Sequence, residues 1–531
     1  MKNTFFVIVA AVMLLTTDTS TALAQRQSSF DEFRKQQQAE YNKFKKDSQD
    51  EYDAFRKKMN DEYAEFMRQA WEAFPTHPAD VPKEEKDVKP KVYEEPAPAP
   101  QPTPQPTPKT EPQPQPTPQP KTEPQPAPTP KPEPQPIEIA VDPTIVVVPQ
   151  PAPAPEPIAP VKPKEEIPSK RVTVSYYGTL VSVNFPTEDK LKLKALTEND
   201  IADAWNVLSD KKYDITVKTA LDARKANDLC DWAYMSLLQA VTEKQYGKTN
   251  EAVLTQAFLM TQSGYRIRIA MASGKLYMLI ASMYEIYKMS YIQLDGQKFY
   301  IVGDKSNAEY QICPSKFEKE QSLSLQMARL PKLGEDPTPK RTLTSRKGVT
   351  ASVSVNKNLI DFFGSYPSAC INGDFGTKWA AYANTPLDKN VKDALYPVLK
   401  KTVANMSEKD AVGIILNWVQ TAFKYGYDNE IWGGDRAFFA QETLYYPYSD
   451  CEDRAILFSR LVRDILGLKV VLLYYPGHLA SAVAFNNEVK GDWLTYNNRR
   501  YTVCDPTYEN APVGATMPGM DNTKAKVIVL K

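Results

Sequence analysis

SDCEDRAILFSRLVRDILG (Ser449–Gly467) is followed by LKVVLLYYPGHLASAVAF (Leu468–Phe485) and, past the polar pair Asn497-Asn498, by RRYTVCDPT (Arg499–Thr507). In the first stretch Ala455, Phe458, Val462 and Ile465 or Leu466 fall on one helical face, acids sit in the first turn and Gly467 supplies a stop. That spacing predicts a helix starting near Cys451. Lys469 to Tyr475, His478 to Phe485 and Arg500 to Asp505 are apolar runs that read as consecutive antiparallel strands, the first two joined through Pro476-Gly477. A cysteine-bearing helix packed on an antiparallel sheet makes the expected fold class α+β.

The same three stretches carry reactive side chains. At a helix N-terminus the unpaired amides and the macrodipole favour a thiolate over a thiol, so Cys451 occupies an activating position. The whole chain has only two histidines, His77 and His478, and only the second lies in this region, so any imidazole chemistry there must use it. His478 opens the second strand and Asp505 closes the third. A helix-borne cysteine with His and Asp on neighbouring strands is a thiol triad: imidazole takes or shares the thiol proton and carboxylate orients imidazole. Taken singly, each residue reads as an ordinary core or turn residue; the shared order and placement make the case. For an oxyanion the backbone N–H of Cys451 is one donor, with Gln441, Tyr445 and Tyr446 as upstream candidates. Trp432, Phe438 and Phe439 read equally as cleft wall or core. No CxxC or His/Cys cluster marks a metal, and no cofactor motif occurs, so none is expected.

The Asp450-Cys451-Glu452-Asp453-Arg454-Ala455 helix start resembles that of bacterial members of the transglutaminase-like superfamily, a papain-like thiol fold. The resemblance covers roughly Val391 to Thr507 and includes the upstream Ile415 to Gln420 and Tyr425-Gly426-Tyr427-Asp428. It implies catalysis by Cys451, His478 and Asp505, and either hydrolysis of amide or peptide bonds or acyl transfer to an amine. Three departures weigh against protein crosslinking. Ser449 stands where glycine is common, Glu452 replaces the tryptophan of animal crosslinking enzymes, and Leu479-Ala480 follow His478 with no tryptophan nearby.

Outside this core the 531 residues divide by composition. Residues 1–24 carry a lysine, an apolar run from Phe5 to Leu15 and Ala22-Leu23-Ala24, and read as a cleavable signal peptide, too short to span a bilayer. An exported protein, periplasmic or extracellular and with no integral span after cleavage, is the expectation. Over 26–75, Phe30, Tyr41, Tyr52, Tyr63 and Phe74 recur every eleven residues, as do Phe33, Phe44, Phe55 and Phe66. Eleven residues make close to three turns, so both series share one stripe of a long amphipathic helix. Self-association through 30–74 in a right-handed coiled coil and packing back onto the catalytic region both fit that stripe. The segment 76–170 is dominated by Pro, Gln, Thr and Ala, with KTEPQP repeated at Lys109 and Lys121, and reads as a disordered polyproline-type spacer.

From residue 171 onward two domains are expected, 171–331 and 348–531, separated by a polar break from Lys332 to Lys347. The first echoes the second. Gly264 and Gly274 match the spacing of Gly467 and Gly477, Tyr300-Ile-Val-Gly-Asp304 parallels Tyr501-Thr-Val-Cys-Asp505, and Asp228 to Ala233 parallels Asp450 to Ala455. In that register Leu229, Lys275 and Asp304 stand for Cys451, His478 and Asp505, which predicts a degenerate copy of the fold.

With 65 basic and 65 acidic residues the chain offers no electrostatic reason to bind nucleic acid. Cys230, Cys313, Cys370 and Cys504 allow two disulfides in three connectivities or four buried thiols. The expected partner is a peptide, protein or cell-wall substrate, and the rival expectation is a non-catalytic binding or scaffold protein.

Overall fold

The computed structural model describes residues 19–79, 89–94, 136–139, 146–147, 154–157, 167–188, 191–303, 309–313, 316–317 and 319–531. Across them the chain is a mixed α+β protein with antiparallel sheets. Most of the expected signal peptide lies outside the described residues. No helix among those described is long and apolar enough to cross a membrane.

The N-terminal helix runs Thr19–Met67, ending earlier than the expected 26–75. Buried Trp71 donates its indole N–H to the Met67 carbonyl at 2.9 Å, satisfying a helix-end acceptor. The chain then becomes strand Glu72–Pro75, with Phe74 opposite Tyr310. The aromatic stripe divides accordingly. Tyr63 is buried between Trp205 and Phe317, with ring centroids 4.7 and 4.5 Å away. Asn60 accepts from Gln262 Nε2 at 2.9 Å and Trp205 Nε1 at 3.2 Å, and Arg56 forms a buried ion pair with Asp214. Farther up, Tyr41 and Phe44 are 60% and 72% exposed. So the helix packs back at one end and presents bare aromatics along the other.

The spacer expected over 76–170 is not free throughout its described stretches. His77–Pro78 pairs with Ser290–Leu294, and Val146–Val147 pairs with Lys526–Val529. Tyr93 N donates to Glu509 O at 2.8 Å and Ile139 N to Trp493 O at 2.7 Å. The physical reason is that isolated β-branched and aromatic residues between prolines find open strand edges and apolar hollows, and Ile139 and Val146 are buried there.

Two large antiparallel sheets follow. One orders its central strands as Glu309–Ile312, Ile267–Ala272, Lys275–Ala281, Gln297–Ile301, Ser290–Leu294. The other reads Lys526–Val529, Lys469–Tyr475, His478–Ala484, Arg499–Cys504, Trp493–Tyr496. Numbered along the chain, both give the spatial order fifth, first, second, fourth, third. Each first strand follows a helix that ends at a left-handed glycine, Gly264 (φ 89°) or Gly467 (φ 68°). The strand half of the echo is therefore real at the level of topology.

The helix half of the echo is not. The helix that precedes and covers the upstream hairpin is Asn250–Gln262, whereas Asp231–Tyr246, which contains the end of the motif, lies one helix earlier. Asn250, not Leu229, is the first residue of the covering helix, and its Oδ1 accepts from Leu276 N at 2.9 Å beside Lys275. Register shifts the third position as well. Cys504 lies opposite Ser481, three residues after His478, and Val302 N bonds Met278 O at 3.0 Å, three residues after Lys275. The counterpart of Asp505 is thus Gly303; Asp304 lies outside the described residues.

The expected break at 332–347 does not divide the body into separate cores. It contains strand Arg341–Thr344, paired with Thr350–Val353, and one apolar core runs continuously from Tyr63 through both sheets to Ile528. Glu285–Ile286 pairs with Ala369–Cys370, stitching the halves directly.

The Arg56–Asp214 pair fastens the long helix to this body. Burial pushes the Asp214 carboxyl above the ordinary range, and Arg56 opposes that. Arg56→Ala leaves a buried carboxylate uncompensated and is expected to cost about 3 kcal/mol at neutral pH. Above Asp214's folded pKa the stranded charge must be kept or neutralised against solvent, while in mild acid the carboxyl is already neutral. The deficit read from urea unfolding should therefore shrink as pH falls.

Candidate active site

Cys451 is the first residue of the helix Cys451–Leu466. Asp453 caps that end from within, accepting from Asp450 N at 3.3 Å and from Phe438 N at 2.8 Å. The helix packs across the hairpin Lys469–Tyr475/His478–Ala484, because its apolar face and the hairpin's inner face bury each other. His478 sits at the first position of the second strand, opposite Tyr475, whose ring lies nearly parallel at 6.4 Å.

His478 Nε2 and Asp505 Oδ2 are 2.8 Å apart. The other oxygen of Asp505 accepts from Thr507 N at 2.9 Å and Tyr508 N at 3.1 Å, and its carbonyl accepts from Gln420 Nε2 at 3.0 Å. Every rotation of this carboxylate breaks a bond, so it holds the imidazole in one orientation. Because Nε2 faces Asp505, Nδ1 is the nitrogen left for a thiol; it is buried and makes no hydrogen bond. Cys451, His478 and Asp505 are 3%, 2% and 1% exposed, so all three groups are shut away from bulk water.

The Cys451 thiol donates to Glu452 Oε2 at 3.2 Å. Glu452 belongs to a buried acidic group that sequence reasoning did not single out. Carboxylate oxygens of Asp428, Asp435 and Glu452 lie within 4.8 Å of one another, as do those of Asp428, Asp450 and Asp453. Protein donors serve much of this group: Lys378, itself 2% exposed, pairs with Asp435 at 2.8 Å, and Arg436 N donates to Asp428. Burial, followed by the charge of Asp435, raises the Glu452 pKa, with Lys378 opposing. Burial and the Glu452 charge do the same to Asp453. A run of Glu, Asp and Arg after the cysteine looks like a solvated first turn in sequence, yet Glu452, Asp453 and Arg454 are all buried.

Of the upstream candidates, Gln441 accepts at Oε1 from Asp388 N at 2.9 Å and keeps a buried Nε2 that makes no hydrogen bond. Tyr446 Oη accepts from Arg436 at 3.0 Å, and the Tyr445 ring packs on Tyr446, so both serve the scaffold. Phe438 and Phe439 are core, Phe439 stacking on Tyr382 at 3.9 Å, and Trp432 lies under the Arg436 guanidinium at 4.6 Å. No disulfide joins the five cysteines. Burial pushes the Cys230 thiol up to about 12 and Cys504 higher still.

Gln420 is the other residue the sequence did not flag as belonging to the site. Its Nε2 faces three carbonyls, Asp505 O, Tyr508 O at 2.8 Å and Ala511 O at 3.2 Å, and Arg454 grips the same helix end through Gln420 O and Phe423 O. Comparison with known families, with characterised proteins and with solved structures finds no match to this chain.

Gln420→Leu removes the donor that these carbonyls share. Orphaning buried acceptors costs about 1–3 kcal/mol, so a stability loss of about 2 kcal/mol in urea unfolding is expected. Loosening of the Asp505 loop should accompany it, read as faster hydrogen exchange at the Thr507 and Tyr508 amides.

Proposed function

We propose that the downstream half is a thiol hydrolase of the transglutaminase-like superfamily, acting on amide or peptide bonds through Cys451, His478 and Asp505. The observation that carries this reading is the His478 Nε2–Asp505 contact at 2.8 Å. It commits one ring nitrogen to a fully anchored carboxylate and leaves the other at the strand end on which the Cys451 helix packs. In the proposed cycle Nδ1 takes the thiol proton as Sγ bonds to the carbonyl carbon, and the same proton passes to the departing amine. Water then gives a proton to His478 and cleaves the thioester, restoring the thiol. The Cys451 amide and Gln441 Nε2 are the proposed donors to the oxyanion. Amine in place of water at the second step would make the enzyme an acyl transferase.

The upstream half, with Asn250, Lys275 and Gly303 at the corresponding positions, has neither nucleophile nor base. It is proposed as a supporting unit that shares the core.

The purified protein, incubated with peptides, with glutamine donors plus a primary amine, and with cell-wall fragments, tests the reading. Cys451→Ala and His478→Ala should abolish turnover with the melting temperature little changed. Asp505→Asn, which orients the ring without bonding the substrate, should leave a remnant, lower in kcat by on the order of 10³–10⁴-fold. Retained activity in His478→Ala would end the triad, since His77 is the only other histidine and sits on the upstream sheet. No turnover of any substrate by the parent protein would favour the binding-protein alternative.

For the N-terminal helix the proposed partner is a second copy. Tyr41, Phe44 and Phe55 are exposed on the eleven-residue stripe, and its near-balanced charges suit pairing with an identical helix. Phe44→Ser with Phe55→Ser should convert a dimer to a monomer in sedimentation equilibrium without altering turnover.

A further inference from the structure

The thiol of Cys451 and Nδ1 of His478 do not bond each other in this structure. The thiol hydrogen goes to Glu452 Oε2 at 3.2 Å, while His478 Nδ1, buried, makes no hydrogen bond. We propose that Glu452 is the resting partner of the nucleophile, holding Cys451 protonated and turned from His478, and that Lys378 sets the strength of this hold. The proposal deepens the hydrolase reading and rests on it for its meaning in catalysis.

Three features of the site support this. Glu452 is the second residue of the nucleophile helix and is 5% exposed, so its carboxyl has little water to turn to. A carboxylate there accepts the S–H hydrogen but repels a thiolate, so it favours the thiol. Lys378, from the helix Phe375–Asn384, lies close enough to act on Glu452 and is itself tied to Asp435. Its ammonium favours the thiolate and competes for the carboxylate. The remaining charged groups facing Glu452 are Asp435 and Asp428, whose oxygens fall within the same 4.8 Å group, and the adjacent Asp453. With three carboxyls and one ammonium so near, the site is short of positive charge, which is why burial and Asp435 raise the Glu452 pKa. Activation then requires the S–H···Oε2 bond to break so that the proton can move from Sγ to Nδ1; no atom is lost from Glu452.

A tryptophan at this position, as in the animal crosslinking enzymes from which the sequence departs here, has no such acceptor. The substitution thus changes how the nucleophile is stored rather than how it attacks.

The test is the pH profile of Cys451 alkylation by iodoacetamide in the full chain, followed by peptide mapping. The midpoint of that profile reports thiol ionisation, whereas the plateau also reflects how often the buried site opens. In Glu452→Gln the midpoint should fall by about one pH unit, equivalent to a tenfold rise in thiolate fraction below it. Lys378→Met should move it the opposite way, and Glu452→Asp, which keeps the charge, should stay near the parent. Shifts of opposite sign do not arise from loosened packing alone. An unchanged or higher midpoint in Glu452→Gln overturns the proposal. If that variant does not fold, an unchanged or lower midpoint in Lys378→Met overturns it. A parent protein that turns over no substrate but shows these shifts would sink the hydrolase reading and leave the thiol–carboxyl pairing standing.

Discussion

The contact on which the candidate site depends is the 2.8 Å bond between His478 and Asp505, both sealed from solvent. A buried carboxylate is costly unless its lone pairs are filled, and here two backbone amides and an imidazole fill them. Filling them requires the chain after the fourth strand to curl tightly through Thr507 and Tyr508. That curl exposes carbonyls, which Gln420 gathers, and Gln420 stands at the end of helix Glu408–Ala422, whose other buried face packs on the helix Cys451–Leu466. The bond between these two side chains is thus linked to the placement of a loop, of helix Glu408–Ala422 and of the helix that begins at Cys451.

The same logic of mutual burial explains the architecture. A helix over an antiparallel hairpin buries one face of each, and the chain does this twice with the same strand order. The two units then share one apolar core, so neither stands as a separate domain. Where one unit has Cys, His and Asp, the other has Asn250, Lys275 and Gly303. The Asn250 side chain caps the following strand instead of reacting. The packing is common to both units while these side chains differ, because a sheet's inner face must be covered whatever stands at its end.

Around Cys451 the electrostatics run against a simple picture of helix-end activation. The helix N-terminus favours thiolate, but Glu452, Asp453, Asp428, Asp435 and Asp450 bring negative charge to the same place, relieved by Lys378 and Arg454. There the thiol is bonded to the Glu452 carboxyl, while His478 Nδ1 makes no hydrogen bond.

The sequence alone determined the features whose information is local. Helical spacing after Cys451, alternation around His478 and the scarcity of histidine located the helix that begins at Cys451, the hairpin it packs on and the His478–Asp505 pair. Glycine spacing likewise located the upstream hairpin, since a helix stop and a tight turn are set by their own residues. Tertiary structure alone decided which helix covers that hairpin, whether Gly303 or Asp304 matches Asp505, and that Glu452 and Asp453 face inward. It also decided that the proline-rich segment lends strands to both sheets. Each of these depends on pairing between residues far apart in the chain. Strand register changes facing with a single-residue slip, and a charged residue in a helix's first turn carries no local sign of what will be packed against it.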